Sequence, residues 1–350
     1  MTLPWGIYIA SYLFLGGAAG GAFLIGGIQD LRNKGKRVAE FAGLTSFAAI
    51  VFGLVFLLID LGRPLDAFNA FNQPTTSVMA FGTWIISGFA LVSIIYTSFH
   101  ISRFPWSRSV GGRKAFAVLG MILALITMYY TGLLLGVILA RPLWSQALIP
   151  ILFTVSGAST GIALVEIAPK VMASRNRPDL EEETKGLAGT DMLLMAAEAF
   201  IVISLLYVLY NSTVAASQSV NTWLTGSLSL DFWAGFVAIG LAVPSLLYAG
   251  VLTVWKRSLK SSAVMTALAG ILVLVGGLVL RYIVLGAGLN TDFLQSLGFT
   301  TQTTVSFGPS STELVYTVGL FAVLAMVYVI GAHVTLHSKA VQPTAATISP

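Results

Sequence analysis

Asp60, His100, Glu166, Asp191, Glu198 and Arg281 stand within or at the ends of long apolar stretches of this 350-residue chain. An ionisable side chain inside a bilayer costs roughly 2.5–3.5 kcal/mol at mid-depth, so each is a candidate for carrying protons or holding a charged ligand. Asp191 and Glu198 are seven residues apart and so share one face of a helix. Glu166 lies on the preceding apolar stretch, and the three carboxylates can pass protons from one to the next. A second set, Asp60, Arg63, Arg141 and Arg281, combines one carboxylate with three guanidiniums, a pattern suited to a polar head group or a docking partner. Each set also has a plainer reading. Interfacial snorkelling and ion pairing would account for the second set, and buried structural hydrogen bonds for Glu166 and Glu198. Capping of its helix is the reading favoured for Asp191, and an interfacial position for His100.

The stretches that position these residues run over 5–28, 39–60, 78–101, 115–139, 146–169, 190–211, 232–255, 262–285 and 313–336. Each reaches the roughly 20 residues that cross a bilayer as a helix. They are continuous rather than alternating, which points to helices and away from a barrel. With 56% hydrophobic and 9% charged residues, the chain reads as an all-α integral membrane protein of nine spans. It has no cysteine, so it holds neither an iron–sulfur cluster nor a disulfide, and three histidines are too few for a dihaem bundle. The net charge of +5 comes from the loops and reflects topology; nucleic-acid binding is not expected.

All but three of the 19 Lys and Arg residues fall in the gaps 31–38, 102–114, 170–189 and 256–261 or in the tail; the exceptions are Arg63, Arg141 and Arg281. This bias puts the N-terminus outside and the C-terminus in the cytoplasm. The first span has no Lys or Arg before it and reads as a retained helix, not a signal peptide. On the opposite side, 212–231 and 286–312 carry no basic residue. They read either as hydrated connectors or as caps over a pocket. The mixed-charge segment Arg175–Lys185 reads as a solvated linker. It divides the chain into helices of 1–174, a linker of 175–189, helices of 190–336 and a tail of 337–350. Gly16, Gly17, Gly20 and Gly21 share helix faces and predict close packing; a phosphate-binding loop would need a preceding strand. Pro244, inside the seventh span, is the one candidate break, a feature that would favour a carrier of ions or small solutes.

Phenol groups add a further possibility. Tyr8 and Tyr12 lie one turn apart in the outer half of the first span, and Tyr129 and Tyr130 lie in the fourth. A quinone head needs hydrogen-bond donors to its two carbonyls and an apolar slot for its ring and tail. A belt of interfacial anchors is the alternative, and it suits Tyr8 better than the deeper Tyr12 or Tyr130.

Pro4-Trp5-Gly6-Ile7-Tyr8, leading into Tyr12-Leu13-Phe14-Leu15-Gly16-Gly17, resembles the start of NrfD/PsrC-type membrane subunits. Asp60-Leu61-Gly62-Arg63-Pro64, followed by Ser-Val-Met-Ala-Phe-Gly-Thr-Trp at 77–84, is similar to the family's second and third helices. Arg281-Tyr282 with Gly286 and Gly288 is a further echo. The resemblance implies two four-helix bundles, the ninth helix being additional, in the inner (cytoplasmic) membrane. It implies a cofactor-free anchor of a respiratory complex that exchanges electrons between menaquinone or ubiquinone and an extracytoplasmic four-cluster ferredoxin-like iron–sulfur subunit, often beside a molybdopterin subunit. Tyr12 falls where polysulfide reductase-like members carry a quinone-binding histidine, and Tyr130 is the candidate for the fourth-helix tyrosine. The quinone set expected is therefore Tyr12, Asp60, Arg63 and Tyr130, with Glu166, Asp191 and Glu198 conducting protons and Arg141 and Arg281 docking the partner or head group. The rival is a transporter that uses the same carboxylates without redox partners.

Overall fold

The computed structural model describes residues 5–33, 35–62, 64–71, 77–101, 104–173, 178–255, 258–290 and 308–337. Among them, 9 helices are long and apolar enough to span a membrane, and there is no strand. The spans are α1 (Ile7–Leu31), α2 (Lys36–Asp60), α3 (Val78–Ser98), α4 (Val110–Gly136) and α5 (Leu148–Ala173). After the short α6 (Pro178–Glu183) come α7 (Leu187–Tyr210) and the short α8 (Val214–Leu224). The seventh span begins as a π-wound segment, Asp231–Ala242, and continues as α9 (Val243–Thr253); α10 (Leu259–Asn290) and the final helix α11 (Ser311–His337) complete the set. Side-chain caps mark the starts of α4 and α11. The Ser109 hydroxyl accepts from Gly112 N ahead of α4. Ser310 and Glu313 form a reciprocal capping box at α11.

The spans close two rings. Contacts α1–α2, α2–α3, α3–α4 and α4–α1 make the first; α5–α7, α7–α9, α9–α10 and α10–α5 make the second. The rings meet where α1 touches α5 and α10 and where α4 touches α5. The ninth span, α11, leans mainly on α2, with lighter contacts to α1 and α5. This matches the expected architecture of two four-helix bundles with an additional helix.

α1 is the shared wall, and its residues from Ile9 to Phe23 are all buried. Its glycines allow this. A Cβ on Gly21 would overlap the Gly157 carbonyl of α5, and one on Gly161 would strike the Gly21–Ala22 backbone. Gly240 and Gly276 make the same kind of backbone contact between the π-wound segment and α10. Close approach of this sort supplies the dispersion contacts that hold helices together in lipid. Replacing Gly161 by Val is expected to destabilise the fold by about 1–3 kcal/mol or to rearrange the α1–α5 contact. A lower melting temperature of the purified variant in detergent is the readout; an unchanged one would remove this seam from the account.

Two expectations are corrected by the fold, for the linker and for Pro244, and the open reading of 212–231 is narrowed. The 178–183 part of the linker is docked, not solvated. Arg37 pairs with Asp179 at 2.9 Å, Lys170 with Glu181 at 2.6 Å, and the Glu183 carboxylate accepts from Val38 N at 2.9 Å. Opposite charge and the free N–H groups at the start of α2 are what draw α6 down. Part of 212–231 is helical: α8 is capped by Thr213, and Trp223 donates to the Ile283 carbonyl of α10 at 3.1 Å. Pro244 does not break its span. The ring follows a π-wound turn, so the chain stays helical on both sides of it.

Candidate functional site

A cleft of about 570 Å³ opens between α1, α2, α3 and α4 at the end of the first ring where α1 begins and α2 ends. Its wall is apolar: Leu54, Leu57, Leu58 and Leu61 from α2 and its end, Met79 and Ile86 from α3, Leu134 from α4. Two phenols line it, Tyr12 from α1 and Tyr130 from α4, 1% and 3% exposed. The 3-10 turn Pro64–Phe71 supplies a rim through Ala67, Phe68, Asn69 and Phe71. Phe71 stands edge-on to Trp84 of α3, with ring centroids 5.3 Å apart.

Gly82 explains how Tyr130 reaches this position. A Cβ there would overlap the phenol ring and hydroxyl of Tyr130, so the absence of a side chain at 82 admits that hydroxyl to the α3 side of the cleft. Ser77, just ahead of α3, and Thr83 and Ser87 on it add hydroxyls. The arrangement is an apolar slot with a few convergent donors, the form that binds a flat, two-carbonyl ring carrying a hydrocarbon tail.

Asp60 does not line this cleft. It is half-buried at the end of α2, beside the lining residue Leu61, and within electrostatic reach of Tyr8 and Glu313. Arg63 lies outside the described residues. Arg141 is half-buried in the turn between α4 and α5. Three residues on, Trp144 stacks on Trp5 at 5.4 Å and donates to the Val284 carbonyl of α10 at 2.8 Å.

The three carboxylates expected to carry protons converge in the second ring. Asp191 is fully buried in α7, four residues past the helix start, and accepts from the Ser159 hydroxyl of α5 at 2.6 Å. It is therefore not the cap of its helix; α7 begins after Gly186, and the Asp191 side chain turns into the bundle. The adjacent Tyr248 hydroxyl of α9 is turned toward the same carboxylate. Glu166, 1% exposed, lies near Asp191 on one side and the Lys170–Glu181 pair on the other. Glu198, 4% exposed, meets the Ser156 hydroxyl of α5.

Arg281 belongs with this row and not with an outer docking surface. It is 0% exposed. Its Nη1 donates to Ser156 Oγ and to the Gly277 carbonyl, the latter at 3.1 Å, and its Nη2 donates to the Phe153 carbonyl at 3.3 Å. The guanidinium also stands over the Phe153 ring at 5.0 Å. A side chain so enclosed presents nothing to a partner, so the expected grouping with Asp60 and Arg141 is corrected.

A polar cluster in the first ring went unread. Arg113 pairs with Asp30 through Nη2 and Nε, each at 3.0 Å, and Tyr96 donates to the same carboxylate at 3.3 Å. His100 stands edge-on to Tyr96 at 4.9 Å. His100 is thus part of a buried network, not merely interfacial. The signal available was the pairing of one acid and one base at the ends of neighbouring spans.

The fold is that of a polytopic membrane protein with an apolar cleft lined by two phenols and a separate buried acid row. Residues 1–292 match the family described as polysulphide reductase, NrfD, and the chain belongs to that family. It is 27% identical to the C component of the polysulfide reductase of Wolinella succinogenes, over 82% of this chain and 95% of that protein. The C component of the selenate reductase of Mesobacillus selenatarsenatis is 24% identical over 93% of this chain and 84% of its own length. The Hdr-like menaquinol oxidoreductase integral membrane subunit of Archaeoglobus fulgidus is 22% identical over 94% and 84%. The ninth span, α11, lies beyond the matched residues.

Proposed function

We propose that this chain is the quinone-reactive membrane subunit of a respiratory reductase complex in the cytoplasmic membrane. Menaquinone or ubiquinone enters the α1–α4 cleft, and Tyr12 and Tyr130 hydrogen-bond its head. Asp60, with Arg63, exchanges the head's proton with the outer side, and Arg141 stands where a partner docks. Electrons pass to or from an extracytoplasmic four-cluster iron–sulfur subunit, itself attached to a molybdopterin or other catalytic subunit. The observation that carries this reading is the pair of phenols facing one apolar cleft, Tyr130 being admitted by Gly82. Membership of the NrfD family and the names of its relatives point the same way.

The test is gentle purification from the native membrane, with extraction of bound lipid and identification of co-purifying subunits. Quinone together with an iron–sulfur subunit is the expected result. A solitary chain without quinone, under conditions that keep known complexes whole, would favour a carrier of ions or small solutes.

We assign proton uptake to the row Glu166, Asp191 and Glu198. Three carboxylates at successive depths support the reading: Glu166 and Glu198 each lie within electrostatic reach of Asp191, Ser159 donates to Asp191, and Ser156 meets Glu198. In proteoliposomes, Glu198→Gln is expected to reduce quinone-linked proton uptake by about 10²-fold, the lower end of the range for removing a proton-transfer group. Uptake equal to wild type would remove Glu198 from the route.

A further inference from the structure

Arg281 ends the acid row, and its surroundings give it a distinct task. Guanidinium stays charged in a protein, and a charge 0% exposed must be met by an opposite one. The group answering it is Glu198, reached through Ser156. A hydroxyl can accept from a guanidinium and donate to a carboxylate at once, so Ser156 joins the two charges without bringing them into direct contact. Other neighbours are not acids. They are the Phe153 and Gly277 carbonyls, the Phe153 ring, and the backbone of Gly17, where a Cβ would lie 3.1 Å from Nη2. Nε has no partner. Along α5 the row runs from Lys170 past Glu166, Ser159 and Ser156 to Phe153, about 25 Å at the rise of an α-helix. Below Arg281 it contains three acids; at Arg281 it meets a fixed cation.

We infer that Arg281 is an electrostatic seal that makes the acid row a half-channel, open toward the Lys170–Glu181 end and closed to protons beyond Glu198. A hydronium ion or an excess proton moving past Glu198 must approach an immobile positive charge in a low-dielectric setting, where repulsion is weakly screened. The seal lets the row load protons without short-circuiting the membrane. It rests on the reading of Glu166, Asp191 and Glu198 as a proton route.

The experiment measures passive proton leak. The complete chain, with whatever subunits accompany it, is placed in liposomes holding a pH-sensitive dye, and a potential is imposed with potassium and valinomycin. No quinol is supplied. Arg281→Gln keeps donors for Ser156 and the Phe153 carbonyl while removing the charge; it is expected to leak at least about tenfold faster than wild type. Arg281→Lys, which keeps the charge, is expected to stay near the wild-type rate. Adding Glu198→Gln to Arg281→Gln is expected to abolish the extra leak. An Arg281→Gln chain as tight as wild type overturns the seal and leaves the row standing. A leak that persists in the double variant means that protons cross elsewhere, and it overturns the row together with the seal. Should Arg281→Gln fail to assemble, Arg281→Lys decides: a leak equal to that of liposomes carrying wild type supports the charge as the barrier, and a faster one overturns it.

Discussion

Removing the Tyr130 hydroxyl, as in Tyr130→Phe, is expected to lower quinol-linked turnover of the assembled complex by about 10²-fold, the lower end of what a positioned proton-transfer group contributes. The ring stays, so packing against Gly82 and the cleft shape are retained. Tyr12→Phe is expected to act in the same direction from the opposite wall. Gly82→Val supplies the complementary case, because it leaves both phenols in the chain and pushes Tyr130 out of place. Its effect should match that of Tyr130→Phe, and the two together should cost little more than either alone. Steady-state assays with a soluble quinol and the natural electron acceptor measure all four. Full activity in Tyr130→Phe would show that the cleft binds its ligand by shape alone, and additive losses in the double variant would separate Gly82 from Tyr130.

The second large effect concerns stability. Asp30→Ala leaves Arg113 buried without its counter-charge and is expected to cost about 3–5 kcal/mol, the usual penalty for breaking a buried pair from one side. Asp30 is 1% exposed and Arg113 9%, so neither recovers water when its partner is lost. The double replacement Asp30→Leu with Arg113→Met removes both charges and is expected to regain most of that loss. Thermal unfolding in detergent, followed by tryptophan fluorescence, gives the comparison. A double variant no more stable than the single one would mean that the pair also holds Tyr96 and His100 in a network whose loss is itself costly.

What could be read beforehand divides along the range of the interactions. Hydropathy and the loop charges sufficed for the nine spans, because crossing a bilayer is a demand each segment meets by itself. Depth, donor type and the family resemblance single out Tyr12 and Tyr130, and both line the cleft. Gly82 was not legible, because its importance lies in a side chain 48 positions away in the chain, 130 − 82. Asp30 and Arg113 lie just outside the apolar stretches that hydropathy marks. Those stretches stop at 28 and begin at 115, close to a charge, whereas α1 runs to Leu31 and α4 starts at Val110. Each charge is tolerable inside because the other neutralises it, and no single-segment argument sees that. Arg281 was misplaced for a related reason. Its height on α10 suggested the outer surface, but height does not say which way a side chain turns, and Ser156, Phe153 and Gly17 are what draw it inward.

The docking of α6 has a consequence for how the two rings move against each other. The segment crosses from the end of α5 to the start of α2, so its contacts fasten the rings at one end. Two of those contacts are ion pairs whose acids are 46% and 35% exposed, while the third is a carboxylate on a backbone amide. Salt screens the first kind far more than the second. Raising the ionic strength on that side of the membrane therefore loosens this fastening at its two ion pairs before it loosens the amide contact, while the α1–α5 seam holds the rings together throughout.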